Sequence, residues 1–135
     1  MSTATPRQRP DKVVCSVSFL KRHPDLTPEQ FYHHWEHVHA PLVKPWAERF
    51  GLVSYTQVHT TEALKGGEPL GPEAPGTSVL AEYDGCAVIE APSFEVFSTA
   101  FKDDYYVNTI EPDERRFIDK KAGVLRARGD SKKII

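Results

Sequence analysis

Sulfur is scarce in this chain, with two cysteines and one methionine among 135 residues. A disulfide framework in so short a chain needs more, and neither Cys15 nor Cys86 belongs to a Cys-x-x-Cys pattern. Redox and metal chemistry through sulfur are therefore not indicated. Both cysteines stand in apolar, strand-like stretches and read as small buried hydrophobes. Excess charge of one sign is also missing. The 17 Lys and Arg face 19 Asp and Glu, a formal net of −2, which argues against an electrostatic grip on nucleic acid or anionic lipid. No apolar run approaches the ~20 residues of a membrane span, and the first residues lack the apolar core of a signal peptide, so a cytoplasmic address is expected. Missing too are a phosphate-cradling glycine loop, a Gly-x-Ser-x-Gly elbow, a dinucleotide fingerprint and the zincin order His-Glu-x-x-His. No organic cofactor and no metal are expected.

What is present suits one soluble domain, with 39% hydrophobic and 27% charged residues. A chain of this length buries about two-thirds of its unfolded surface. Residues 1–11 read as a disordered arm, 12–128 as the domain and 129–135 as a polar tail. Lys12 to Leu20 is β-branched and aromatic and reads as a central strand. Thr27-Pro28-Glu29-Gln30 is a capping box with proline at the first helical position. The helix it opens carries Phe31, Trp35 and Val38 as one apolar stripe. Pro41 disfavours helical geometry at Ala40, so an end or kink is expected near His39. A second helical piece, Leu42 to Phe50, stops at Gly51.

Leu52 to Thr60 alternates as a strand, with Tyr55, Gln57 and His59 on one face. Residues 61–78 hold a cluster of glycine and proline and read as a loop or lid. A third strand is expected over Val79 to Ala91, with a break at Asp84-Gly85. Ser93 then caps a helix that turns Phe94, Val96, Phe97 and Phe101 inward. Asp103 to Asp113 reads as a loop, Arg115 to Asp119 as a helical turn and Gly123 to Arg128 as the last strand. The order β-α-β-β-α-β is that of an α+β, ferredoxin-like split β-α-β sheet with helices on one face. The bare face calls for a cover, and a homodimer packed sheet on sheet is the simplest one.

Four of the six histidines fall in His33-His34-Trp35-Glu36-His37-Val38-His39. His33 and His37 lie opposite the apolar stripe and read as a solvated face. His39 borders the buried face at the expected helix end, where unpaired carbonyls should raise its pKa. Two readings stay open: a general acid/base beside an apolar pocket, or a core-edge histidine that stiffens the Pro41 turn. The row Tyr55, Gln57, His59 is likewise either a set of polar groups converging on a small polyhydroxylated ligand or a rim. Lys120-Lys121 and the Tyr105-Tyr106 and Asp113-Glu114 pairs read as surface features.

Phe19-Leu20-Lys21-Arg22, Leu26-Thr27-Pro28-Glu29-Gln30-Phe31, Trp35 and His39-Ala40-Pro41-Leu42 together resemble the signature of EthD-domain proteins. Tyr83-Asp84-Gly85 and Asp113-Glu114-x-x-Phe117-x-Asp119 support the resemblance. It implies a dimeric α+β barrel and, among fungal aromatic polyketide pathways, a cofactor-free decarboxylase or dehydratase. It also matches His39 to the family's helix histidine, and Asp84 and Asp119 to its acidic positions. The expectation is a lyase acting on an anthrone or anthraquinone-type carboxylic acid, with decarboxylation foremost and dehydration or cyclisation drawing on the same residues. His39, Tyr55 and His59 are the expected catalytic groups. Phe31, Tyr32, Trp35, Gln57, Asp84 and Phe97 are the expected substrate contacts. The rivals are a cofactor-free anthrone monooxygenase and a non-catalytic dimeric binder of a hydrophobic intermediate.

Overall fold

A computed structural model describes residues 8–65 and 80–135. Of the loop expected over 61–78, residues 66–78 lie outside them. Four strands, β1 (Val14–Leu20), β2 (Ser54–His59), β3 (Gly85–Ala91) and β4 (Leu125–Asp130), form one antiparallel sheet in the order β2-β3-β1-β4. That order, with helices on one face, is the expected ferredoxin-like α+β architecture. β4 runs past the expected boundary at 128, and Ser131 still bonds the carbonyl of Val13 at 2.8 Å. Of the expected arm, residues 1–7 lie outside the described part, while Arg9 holds Glu90 through two bonds of 2.8 and 3.0 Å.

The first helical layer begins as the capping box requires. Thr27 accepts from Gln30 N–H at 3.2 Å and the Gln30 side chain accepts from Thr27 N–H at 2.9 Å. From there α1 (Pro28–His33) passes without a break through a π-helical stretch, His34–His39, into α2 (Ala40–Arg49). Of the end or kink expected near His39, the end is not found, and the helix is distorted there instead. Proline at 41 offers no N–H and its ring crowds the carbonyl four residues back. The chain widens by one residue per turn instead of ending, and Ala40 N–H donates to Trp35 O. The second layer repeats this solution. After α4 (Phe94–Phe101), a π-helical stretch Tyr106–Ile110 leads into α5 (Glu111–Phe117), with Pro112 at its second position and Glu111 N–H on Tyr106 O. The expected loop over Asp103–Asp113 is thus largely helical. A short helix, α3 (Glu62–Lys65), follows β2.

The widening changes which residues face the sheet. Phe31, Trp35 and His39 are buried, while Val38, expected on the stripe, is 41% exposed. Phe94, expected inward, is 43% exposed. The core falls into two clusters. Val14, Val43, Trp46, Leu52, Phe97 and Ile110 pack at one end, and Leu20, Phe31, Trp35, Phe117 and Ile118 at the other. Gly51 closes α2 with φ +66° and Trp46 Nε1 donates to Ala100 O at 2.9 Å, tying the two helical layers.

Gly85 at the head of β3 is set by close approach. A Cβ there would stand 2.5 and 2.7 Å from the six-membered ring of Trp35 and 3.0 Å from the Val58 carbonyl. Gly85→Ala should lower the free energy of unfolding by about 1–3 kcal/mol through displacement of that ring. Urea unfolding of the two proteins checks this, and an unchanged midpoint would contradict it.

Candidate active site

The two helical layers meet the sheet around a cavity of about 100 Å³. Trp35 and His39 line it from the first π-helical stretch, Tyr55 from β2, Tyr106 and Glu114 from the second helical layer, and Arg126 from β4. His39 is 4% exposed and Asp113 is 1% exposed. His39 Nδ1 lies 2.8 Å from Asp113 Oδ2. His34 Nε2 shares the same carboxyl group at 2.9 and 3.1 Å, and Arg116 Nη1 stands 3.6 Å from Oδ1. Since Asp113 accepts, the Nδ1 of His39 carries the proton and Nε2 is the nitrogen left for a ligand. Burial pulls the His39 pKa below its usual 6.5, against the opposing pull of the Asp113 bond. This corrects the expected rise: His39 sits in mid-helix, away from the carbonyls of a helix end. Its imidazole is held neutral, a base whose basicity comes from the Asp113 bond and whose desolvation comes from the core.

Tyr55 faces the same cavity. Its hydroxyl oxygen accepts from Gln57 Nε2 at 3.0 Å, and the same amide donates to Trp35 O at 2.9 Å. Gln57 Oε1 accepts from His59 Nε2 at 2.8 Å. Every atom of the Gln57 amide is thereby assigned, so the Tyr55 O–H finds no acceptor there. Burial pushes the Tyr55 pKa up, partly offset by bonds from Gln57 and Trp35, which keeps the phenol protonated. His59 lies outside the cavity. It stacks on Trp35 and Tyr32, with ring centroids 4.8 and 5.1 Å apart, in a shallow surface groove beside Glu36. Burial lowers its pKa, opposed by Glu36. It steers Gln57 and hence Tyr55; all three line this groove, and of them Tyr55 alone also lines the His39 cavity.

Of the remaining expected contacts, only Trp35 lines the His39 cavity. Phe31 is fully buried against Trp35 and Phe117 and belongs to the core. Tyr32 OH lies 2.6 and 2.7 Å from the carbonyls of Thr60 and Asp84, and burial helped by the Asp84 charge pushes its pKa up to about 12. Asp84 itself accepts from Arg22 N–H and Lys65 Nζ, each at 2.7 Å. Tyr32 and Asp84 thus tie Thr60 and Lys65, after β2, to Asp84, before β3. Phe97 lines an adjoining groove between α4 and β4.

Three cavity groups escape a sequence reading. Tyr106 OH donates to Glu114 Oε1 at 3.0 Å, and Lys120 Nζ reaches the same oxygen at 2.9 Å. Tyr106 is raised well above the ordinary phenol range by burial, with the Glu114 charge adding to it. Asp113, the partner of His39, lies 74 residues away in the chain and reads locally as part of an acidic cluster. The Asp113-Glu114-x-x-Phe117 pattern of the family resemblance points to this residue but gives it no partner.

The ferredoxin-like α+β chain thus carries a buried, carboxyl-held imidazole and a tyrosine on the wall of one small cavity. Residues 23–121 match the EthD domain, and the chain belongs to that family. It is 28% identical over 124 residues to the dehydratase aurZ of Gibberella zeae, covering 90% of this chain and 80% of that protein. It is 32% identical over 100 residues to the dehydratase ustZ of Ustilaginoidea virens, covering 74% and 71%. With the decarboxylase nsrE of Aspergillus novofumigatus the identity is 23% over 113 residues, covering 82% and 73%. Among solved structures, an EthD-family protein of Bacillus halodurans superposes with a TM-score of 0.55 at 16% identity, covering 91% of this chain and 99% of that one. A dimeric ferredoxin-like protein of Bacteroides fragilis gives 0.52 at 9% identity, covering 90% and 96%.

Proposed function

We propose that the protein is a lyase of aromatic polyketide metabolism that removes water from a polyphenolic substrate, with His39 as the general base and acid. The observation that carries this reading is the buried His39 ring on the cavity wall with its Nδ1 2.8 Å from Asp113 Oδ2, where burial draws its pKa below the ordinary 6.5. In the proposed step Nε2 takes a proton from the carbon between a ring carbonyl and a hydroxyl-bearing carbon. The electron pair left behind forms the new C=C bond as the C–O bond breaks, and the departing hydroxide takes the proton back from Nε2 as water. Negative charge gathers on the carbonyl oxygen meanwhile, and the Tyr55 O–H stabilises it. No redox change occurs, so the step is balanced by the substrate and one imidazole. Trp35 supplies the apolar wall.

Decarboxylation is the second reading, favoured by the relatives named decarboxylases, which are 23 and 24% identical. It uses the same groups with the imidazole protonating the ring carbon that loses CO2. Dehydration comes first here because the relatives named dehydratases, aurZ, ustZ and CTB10, are 28 to 32% identical.

We infer further that two copies pack through the outer face of the sheet. Cavity-lining Ser16, Ser18, Ala87 and Tyr55 mark the helix-facing side, so alternation puts the rows Val58-Cys86-Phe19-Leu125 and Thr56-Val88-Val17-Ala127 on the other. Val58 and Leu125 are 46 and 57% exposed there, and a solved relative of the fold is described as dimeric. Light scattering should give twice the 15.2 kDa chain mass, falling to one chain in Val17→Asp. A wild-type monomer would contradict this inference.

For catalysis the expected outcome is a loss of roughly 10²-fold or more in kcat for His39→Gln with folding retained. Because the imidazole acts in its neutral form, wild-type kcat/KM should hold as pH falls to its usual 6.5 and drop only below it. Mass detection of product from a hydroxylated anthrone-type substrate checks both points. Wild-type turnover in His39→Gln would remove this residue from the reaction.

A further inference from the structure

The His39 cavity is too small for the substrate proposed above. An apolar cavity of about 150 Å³ holds one benzene ring, and this one offers about 100 Å³. A fused polycyclic molecule can place only one edge in it. The remainder needs a second space, and the fold provides one. A groove of about 560 Å³ runs between α4 and β4. Ser16, Phe101 and Arg126 line both spaces, so the groove adjoins the cavity.

The chemistry of the groove differs from that of the cavity. Its helical wall is a row of rings, Phe94, Phe97 and Phe101, with successive centroids 6.3 and 6.1 Å apart. Phe94 at its outer end is 43% exposed. The rim carries Lys102, Arg126 and Arg128. Arg126 Nε donates to Ser18 Oγ at 3.1 Å, and among the described residues none of the three cations is ion-paired. The cavity end is the reverse. Its lysine, Lys120, is already bonded to Glu111 at 3.2 Å and Glu114 at 2.9 Å, and Glu114 itself faces the space. Arg126 lines both spaces, so the two ends differ in Lys102 and Arg128, which have no carboxylate partner, against Glu114 with its bonded Lys120, and an anion is drawn to the outer end over the inner one.

We propose that the α4–β4 groove is the ring-binding subsite of the active site, taking a planar polycyclic aromatic whose carboxylate is held by Lys102, Arg126 and Arg128 while its uncharged edge enters the His39 cavity. This rests on the lyase reading above and deepens it. With the carboxylate anchored at the rim, the carbon presented to His39 carries a hydroxyl and not a carboxyl group, so the placement selects loss of water over loss of CO2.

The test uses two probes of one shape, anthraquinone-2-carboxylate and the neutral anthraquinone-2-carboxamide. Quenching of Trp46, which lines the cavity and lies 5.3 Å from the Phe101 ring, reports binding. In the double variant Lys102→Gln/Arg128→Gln the Kd of the carboxylate should rise about tenfold or more at low salt while that of the carboxamide stays within about twofold. Phe97→Ser should weaken both probes, and circular dichroism establishes that each variant is folded. Equal loss of both probes in the double variant, an unchanged carboxylate Kd, or no binding of either probe by the wild type overturns the proposal. Failure of the two readings is distinguishable. A charge-dependent groove in a protein without turnover sinks the lyase reading alone. Turnover lost in His39→Gln beside an unaltered carboxylate Kd in the double variant sinks the groove alone.

Discussion

The bond from His39 Nδ1 to Asp113 Oδ2 joins the two helical layers at the point where both face the sheet. Its donor lies at the end of one π-helical stretch and its acceptor just after the other. Because Asp113 also accepts from His34, the carboxyl group is held by a residue that does not line the cavity, which fixes the acceptor before any ligand arrives. The rest of the site takes its geometry from this point. Trp35 is turned inward by the same stretch that carries His39, and its carbonyl orients Gln57, which orients Tyr55. Donor and base are thus set by one hydrogen-bonded frame running from the helices into β2.

The two prolines explain why the frame exists. Pro41 and Pro112 each stand two residues past a π-helical stretch, in equivalent places of the two halves of the fold. An α-helix would leave a carbonyl without a donor and a ring against it at each point. The wider turn relieves both problems and brings one further residue to the inner face. In the first layer that residue is His39, and Val38 is turned out to solvent. In the second, Ile110 closes the core and Asp113 and Glu114 follow one turn later. A wide turn costs hydrogen-bond quality, and such turns collect at functional sites for that reason.

Much of the fold is legible in the chain. The capping box at Thr27, the alternation at Tyr55-Gln57-His59 and the strand order all follow from local patterns that packing does not overturn. In the first helical layer the differences come from one source. A proline is read locally as a stop, and a stop at His39 implies a helix-end imidazole with a raised pKa and a stripe through Val38. Continuation of the helix reverses both. The site is less legible because its partners are distant in sequence: Asp113 is 74 residues from His39. Tyr106, Glu114 and Lys120 each look like surface residues until α5 folds over the sheet. Asp84 and Tyr32 fail for the opposite reason, since their polar groups are used up by Arg22 N–H, Lys65 and the carbonyls of Thr60 and Asp84.

The account stands on a single protonation state, a neutral His39 with its proton on Nδ1. Nitrogen-15 NMR of the imidazole through a pH titration reads both the tautomer and the pKa. The account predicts an Nδ1–H tautomer at pH 7 that takes up its second proton only below the ordinary histidine value of 6.5. An Nε2–H tautomer, or an imidazolium already formed at pH 7, would contradict it.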